Sequence, residues 1–194
     1  LKKIHINGTR LLKDIPCLKI DVNGIAQGYS VDVLANFIES KGIQNYIVEL
    51  GGEIRARGRK KPGEGFMQIG IEQPSDNDDT SEPLQKIIKL ENGAITTSGN
   101  YRKYISSGNK KFSHLMDPKT GYPIDNELIS VTVRASDAMS ADGYDNALMG
   151  MGLKKALRFV RKHKELEAYF IFHKPDGTVT DTASAGFYKA NLQY

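Results

Sequence analysis

Residues 46–58, with the sequence YIVELGGEIRARG, decide the fold. The first part, Tyr46–Leu50, is rich in β-branched and aromatic side chains, and the second part, 53–58, alternates between apolar and charged residues. Only Gly51-Gly52 separates them, a pair that ends a strand and accepts the backbone angles of a tight turn. The stretch therefore predicts two antiparallel strands joined by a short hairpin with exposed backbone amides.

Further strands and two long helices are predicted on either side of this hairpin. The spacing of apolar residues predicts one helix at 29–40, ended by Gly42, and a second at 136–163. The other predicted strands are 18–22, 66–71, 87–90, 95–97, 129–135, 168–172 and 178–182. Strands outnumber helices, so we expect an α+β fold, a single domain over residues 1–194, with a mostly antiparallel sheet and two long helices.

The composition of the 194 residues is that of an ordinary globular protein, 39% hydrophobic and 26% charged. The net charge of +4 is spread along the chain, and the basic cluster at 55–61 lacks interleaved aromatic residues, so nucleic-acid binding is not indicated. The single cysteine, Cys17, excludes an internal disulfide and a thiolate metal cluster. No stretch is long and apolar enough to span a membrane, and the start at Leu1 without a signal-like segment indicates a trimmed N-terminus.

A histidine and an aspartate precede a Pro/Gly turn in the segment 113–123, SHLMDPKTGYP. Proline ends regular structure and glycine accepts positive φ, so the chain is expected to fold back there and hold polar side chains at a strand end. His114 titrates near neutrality and can transfer protons, and Asp117 could orient it or bind a metal. The alternative is a surface turn in which both side chains are solvated.

The segment 21–29, DVNGIAQGY, places small residues between a predicted strand and a predicted helix. Its backbone N–H and C=O groups are free to contact a phosphate or a metal. The segment lacks the lysine and the hydroxyl residue of a Walker loop, and a plain connection between strand and helix is the alternative.

Asp142 and Asn146 lie four residues apart on the second predicted helix, so they share one face and can converge on a hard cation. Mg²⁺ takes one or two protein oxygens and completes its shell with water and phosphates. A nucleotide diphosphate is therefore a natural partner for such a pair. The alternative is an ordinary polar pair on an exposed helix face.

Five segments, in this order along the chain, resemble the ApbE family of FAD:protein FMN transferases. They are 21–32 (DVNGIAQGYSVD), 48–58 (VELGGEIRARG), 97–101 (TSGNY), 113–123 (SHLMDPKTGYP) and 141–152 (ADGYDNALMGMG). The resemblance covers residues 18–155 and implies an α+β, T-fold-like architecture. Family members are longer, so the chain is expected to lack the family's N-terminal segment, which helps to enclose the flavin.

The resemblance implies Mg²⁺-dependent transfer of FMN from FAD onto a Thr or Ser hydroxyl of a target flavoprotein, with release of AMP. His114 would accept the proton of that hydroxyl or position it, and Asp117 would orient His114. Asp142, Asn146 and a backbone carbonyl near Gly24 would hold the Mg²⁺. Asn146 stands where the family usually has Thr, and its amide oxygen is also a ligand for Ca²⁺.

FAD would bind in a pocket built from three of the five segments. By resemblance, its lining residues are Gly24, Ala26, Gln27, Glu49, Gly51, Gly52, Thr97, Ser98 and Gly99. Gln27 takes the place of a lysine that could contact a phosphate. The alternatives are a metal-dependent FAD pyrophosphatase that yields FMN and AMP, and a non-catalytic flavin-binding protein. The resemblance also implies a location on the periplasmic or outer side of the bacterial inner membrane, through a lipid anchor absent from this chain.

Overall fold

The structure, a computed structural model, describes residues 3–61, 65–72, 84–100, 104–107, 110–113, 115–117 and 120–189. The helices and strands of these residues are β1 (Ile4–Asn7), β2 (Arg10–Lys13), α1 (Asn23–Ser40), β3 (Tyr46–Leu50), β4 (Glu53–Arg57), β5 (Met67–Glu72), β6 (Leu84–Leu90), β7 (Asn92–Gly99), β8 (Tyr104–Ser107), β9 (Lys110–Ser113), β10 (Leu128–Ala135), α2 (Ala138–Met151), α3 (Leu153–Val160), β11 (Glu167–His173) and β12 (Val179–Ala183). The expected α+β fold is confirmed. No helix in these residues is long and apolar enough to cross a membrane.

Six strands form the central sheet, in the order β12-β11-β10-β7-β4-β3. Every pair of neighbours is antiparallel, as the sequence predicts. The predicted hairpin is present, because β3 and β4 pair from Leu50 and Glu53 onwards, and Gly51 and Gly52 have φ angles of 65° and 106°. Glycine adopts such angles without steric cost, which explains why this pair forms the turn.

The sheet carries a different layer on each face. α1 and α2 pack on one face, in a core that contains Val31 and Leu148. β5 and β6 pack on the other face, in a second core that contains Ile69. Successive residues of a strand point to opposite faces, so Ala94 of β7 belongs to the first core and Ile95 to the second. Position along a strand therefore decides which side chains can meet the two helices.

The strand predicted at 18–22 is wrong, because these residues form neither helix nor strand. The chain is already turning there: Asp21 Oδ1 accepts the backbone N–H of Asn23 at 2.8 Å. This turn leads directly into α1, which begins at Asn23 and not at Tyr29. An aspartate side chain that accepts the backbone N–H two residues later offers the chain a local alternative to pairing as a strand.

The helix predicted at 136–163 is two helices. Gly152, with φ 71° and ψ 158°, separates α2 from α3 and turns the chain between them. The first backbone N–H of α3, on Leu153, donates to Glu127 Oε1 at 2.8 Å. Because only glycine takes this backbone conformation readily, Gly152 interrupts a helix that the apolar spacing alone would continue.

Candidate functional site

The candidate site lies where α1 and α2 pack closely together, at Gly28. The backbone N–H of Gly28 donates to Asp142 Oδ2 at 2.9 Å. A Cβ atom at Gly28 would lie 2.2 Å from the carbonyl oxygen of Ala138 and 2.8 Å from Asp142 Cβ. Both distances are far inside van der Waals contact, so a side chain at this position would force the helices apart. Glycine thus permits the contact that holds Asp142.

Predicted site residues from distant parts of the chain meet beside this contact. Asn146 Nδ2 lies 3.3 Å from the carbonyl oxygen of Gly24 and 3.3 Å from Asp142 Oδ1. Asn146 Oδ1 accepts a hydrogen bond from Ser98 Oγ at 3.2 Å, and Gly99 ends β7 just after Ser98. Asp142 is only 4% exposed. The alternative of an ordinary polar pair on an exposed helix face therefore does not fit Asp142.

Asp145 lies close to Asp142 and to Glu53, and Glu53 was not among the predicted site residues. Burial raises the pKa of Asp142, while the N–H of Gly28 opposes the rise. Burial also raises the pKa of Asp145 well above its usual range; the Thr96 hydroxyl opposes this, and the charges of Asp142 and Glu53 add to it. Asp145 Oδ1 and Thr96 Oγ1 are buried, and neither makes a hydrogen bond of good geometry with a described residue. A bound cation would offset the burial and mutual repulsion of these carboxyl groups and favour their ionised forms.

The oxygen atoms at the site fit a hard divalent cation. Gly24 offers a carbonyl, Asp142 a carboxylate and Asn146 a side-chain amide, all ligands that Mg²⁺ accepts. Among the described residues, no group of three or more His, Cys, Asp or Glu is arranged to hold a metal. A cation at this point would therefore need water or phosphate to complete its shell.

The side-chain amide of Asn146 must flip, so that Oδ1 and Nδ2 exchange places, before its oxygen can face such a cation. At present Nδ2 points toward Gly24 and Asp142, and Oδ1 points toward Ser98. A hydroxyl both donates and accepts hydrogen bonds, so Ser98 can remain bonded to either end of the amide. Ser98 therefore supports both orientations of Asn146.

Gln27 extends from α1 to the turn between β3 and β4. A Cβ atom at Gly51 would lie 2.3 Å from Gln27 Nε2 and 3.6 Å from Glu53 Oε2. A Cβ atom at Gly52 would meet no described atom within 4 Å, so this side of the turn is open. Ala26 lies on the exposed part of α1, and its carbonyl accepts from Ser30 Oγ at 2.8 Å. The turn and the start of α1 thus border the same space.

The structure places the side chains of Glu49 and Thr97 away from this cluster. Glu49 pairs with Ile54, whose side chain packs on the face that carries β5 and β6. Thr97 Oγ1 lies 2.8 Å from Thr132 Oγ1. Ser98, the next residue of β7, faces the helices, so the side chain of Thr97 points to the opposite face of the sheet. Any contact of Glu49 or Thr97 with a ligand near Asp142 would have to come from the backbone.

The predicted turn after the His/Asp segment is present. His114 lies outside the described residues. The N–H of Asp117 donates to the carbonyl oxygen of Tyr122 at 2.8 Å, and its own carbonyl accepts from the N–H of Gly121 at the same distance. Leu115 packs against the core between the sheet and the helices, which places the start of this turn on the face that bears the site. The roles of His114 and Asp117 stay predictions.

A cavity of about 750 Å³ lies elsewhere in the described part of the chain. Its lining includes Tyr46, Arg55, Arg57 and Ser136. Tyr46 and Arg57 pair at the end of β4 that is opposite the glycine turn. The cavity is therefore not at the cluster around Asp142. The convergence of polar groups, and not the size of a cavity, identifies that cluster.

Comparison with known proteins connects this geometry to one family. The model of the ApbE family matches residues 1–170. The FAD:protein FMN transferase of Vibrio cholerae is 40% identical over 187 residues, which are 96% of this chain and 54% of that relative. The FAD:protein FMN transferase of Haemophilus influenzae is 41% identical over 175 residues, 90% of this chain and 49% of the relative. The chain thus spans about half the length of these curated relatives.

Solved structures agree with the sequence matches. The flavin transferase ApbE from Vibrio cholerae superposes with a TM-score of 0.82 at 39% identity, covering 96% of this chain and 57% of that one. The apo form of the flavinyl transferase ApbE from Pseudomonas stutzeri gives a TM-score of 0.81 at 34% identity, covering 97% of this chain and 56% of that one.

Proposed function

The chain belongs to the ApbE family, and we propose that the protein containing it transfers FMN from FAD to a Thr or Ser hydroxyl of an acceptor flavoprotein, with Mg²⁺ bound and AMP released. The observation that carries this proposal is the convergence of Gly24, Asp142 and Asn146 on one point beside Gly28. A donor set with few carboxylates leaves room for phosphate oxygens on the same cation.

In this proposal the diphosphate of FAD lies between the segment 24–27 and the turn between β3 and β4. The Mg²⁺, when bound, neutralises negative charge on the diphosphate and on the departing AMP. Gly28 holds one oxygen of Asp142, so the other oxygen, Oδ1, remains directed toward Asn146 and the site. The amide of Gln27, which lies against Gly51, offers an N–H donor to a phosphate oxygen.

The acceptor hydroxyl loses its proton as its oxygen attacks the phosphorus that carries riboflavin. We assign that proton to His114, with Asp117 orienting the imidazole. The bond from this phosphorus to the oxygen that bridges to AMP breaks, and AMP leaves with the electron pair. Support for the assignment comes from the turn at 117–122, which begins on the face of the sheet that bears Asp142.

The test measures AMP and covalent flavin formed from FAD, with and without Mg²⁺ and an acceptor protein that carries a Thr or Ser flavinylation site. Wild type should form both products only when Mg²⁺ is present. Asp142→Asn should slow AMP release about a hundredfold or more, because it removes the charge that binds the cation. Asp125→Asn removes an exposed carboxylate and is the matched control, which should retain the wild-type rate.

The other outcomes identify the alternative functions. AMP without covalent flavin on the acceptor would make the protein an FAD pyrophosphatase. Binding of FAD without release of AMP would make it a flavin-binding protein. Either result contradicts the transferase proposal. Location on the periplasmic side of the membrane is part of the same proposal and rests on family resemblance; cell fractionation tests it.

A further inference from the structure

Asp32 ends the segment 21–32 that resembles the family, and the proposed chemistry gives it no part. It lies on α1 one turn after Gly28 and is only 8% exposed. Asp32 Oδ1 accepts the backbone N–H of Ala138 at 3.0 Å, and Oδ2 accepts that of Met139 at 2.8 Å. Asp32 therefore caps the N-terminus of α2, a helix that begins 106 residues further along the chain.

A second aspartate caps the same helix from its own segment of chain. Asp137 immediately precedes α2 and accepts the backbone N–H of Ser140 at 2.8 Å. The first N–H groups of a helix have no partner inside the helix, and the two carboxylates share them. Asp137 moves with α2, whereas Asp32 belongs to α1. Of the two capping aspartates, only Asp32 links α2 to α1.

Arg55 of β4 holds the carboxylate of Asp32 in place. Arg55 Nη1 donates to Asp32 Oδ1 at 2.9 Å, and Arg55 Nη2 lies 3.5 Å from Glu39 Oε1. Both side chains of the Arg55–Asp32 pair are largely shielded from solvent, which strengthens the ion pair. The N-terminus of α2 is thereby linked through Asp32 to the central sheet.

The contacts of Asp32 and Gly28 together fix how α2 lies on α1. Gly28 precedes Asp32 by four residues and Asp142 follows Ala138 by four, so the two contacts lie about one turn apart on both helices. A slip of α2 by one residue would move Asp142 by about 1.5 Å and rotate it by about 100°. Asn146, one turn further, would rotate with it away from the site.

We propose that Asp32 is a positioning residue: by capping α2 from α1, it sets the helix alignment in which Asp142 and Asn146 face the carbonyl oxygen of Gly24. The inference deepens the proposed function and rests on it, because the site that Asp32 aligns is the proposed cation site. Asp32 itself bonds only to the backbone of α2 and to Arg55 in the described contacts, and it contacts no ligand in this scheme.

Asp32→Asn and Asp137→Asn form a matched pair, because each replaces one of the two carboxylates that cap α2. Asn at position 32 keeps one oxygen but turns an N–H donor toward another N–H group. Mn²⁺ is the probe for the proposed cation site. Asp32→Asn is expected to weaken Mn²⁺ binding about tenfold or more, as measured by titration calorimetry. It should also speed hydrogen exchange of the Gly28 amide. Asp137→Asn should leave both quantities near wild type once the unfolding free energies are taken into account.

Arg55→Lys keeps the positive charge but loses the forked contact, so it is expected to act in the same direction with a smaller effect. This variant carries the test if Asp32→Asn does not fold. Equal effects of Asp32→Asn and Asp137→Asn on both quantities would overturn the inference, since Asp32 would then be an ordinary helix cap. If wild type binds no Mn²⁺, the proposed cation site fails, and the exchange rate of the Gly28 amide alone decides whether Asp32 aligns the helices.

Discussion

Gly24 and Gly28 lie on the same helix, one turn apart, and differ in what faces them. A Cβ atom at Gly24 would lie 3.7 Å from Asn146 Nδ2, an ordinary van der Waals distance. At Gly28 the same atom would lie 2.2 Å from the backbone of Ala138, which cannot move without shifting α2. Two residues of one type, four positions apart, thus have different structural roles.

We expect Gly28→Ala to lower the free energy of unfolding by about 1–3 kcal/mol, because the added methyl group must push α2 away. It should also weaken Mn²⁺ binding, since the N–H of Gly28 would no longer reach Asp142. Gly24→Ala is the control for helix propensity and should change the unfolding free energy by less than about 1 kcal/mol. Urea denaturation of the two variants makes the comparison, and equal midpoints would contradict it.

At the scale of whole elements, a polar cluster joins α1 to the edge strand β3. Tyr46 OH donates to Glu39 Oε1 at 2.5 Å, and Arg57 Nη1 donates to Glu39 Oε2 at 2.9 Å. Burial raises the pKa of Tyr46 to about 12, and the hydrogen bond to Glu39 adds to the rise. The phenol therefore remains neutral at pH values where an exposed tyrosine ionises.

This raised pKa predicts how stability depends on alkaline pH. The folded protein holds the phenolic proton more tightly than the unfolded chain, so the stabilisation is complete below pH 10 and is lost as the pH rises toward about 12. The loss is on the order of 2 kcal/mol over that range. Tyr46→Phe should lack it. Urea unfolding of both proteins from about pH 9 to about pH 11 measures the difference, and parallel curves would refute the prediction.

At the scale of the molecule, the two faces of the sheet have different roles. The face with α1 and α2 carries the proposed cation site. The other face packs β5 and β6 together with Phe187, which is fully buried. Arg134 Nη1 donates to the carbonyl oxygens of Phe187 and Lys189, both at 2.5 Å, and so fastens the chain after β12 to the sheet. This second layer stabilises the sheet without contributing to the site.

Phe187→Ala should therefore lower the unfolding free energy by about 3–5 kcal/mol while the folded fraction binds Mn²⁺ as wild type does. Leu148→Ala is the matched core variant on the other face, because Leu148 is equally buried but belongs to α2. It should lower the unfolding free energy by about 2–5 kcal/mol and also weaken Mn²⁺ binding. A similar loss of affinity in both variants would show that the faces are not independent.

The sequence by itself determined the features that depend on short-range interactions. Gly51-Gly52 forces a turn between two strands, and the Pro/Gly segment folds back at Gly121, because in both places glycine accepts positive φ. The four-residue spacing of Asp142 and Asn146 puts them on one face of any helix that contains them. Where local signals compete, as at 18–22 and Gly152, periodicity alone gave the wrong element.

Only the tertiary structure decided which of these residues meet. The contact between Gly28 and Asp142 spans 114 positions, and Asp32 caps a helix 106 positions away. Glu53, and not Glu49, lies on the face of the sheet that bears the site, because the register of the strands settles which of the two faces the helices. Periodicity shows which face of an element is apolar, but how closely two backbones approach depends on the packing of the whole chain.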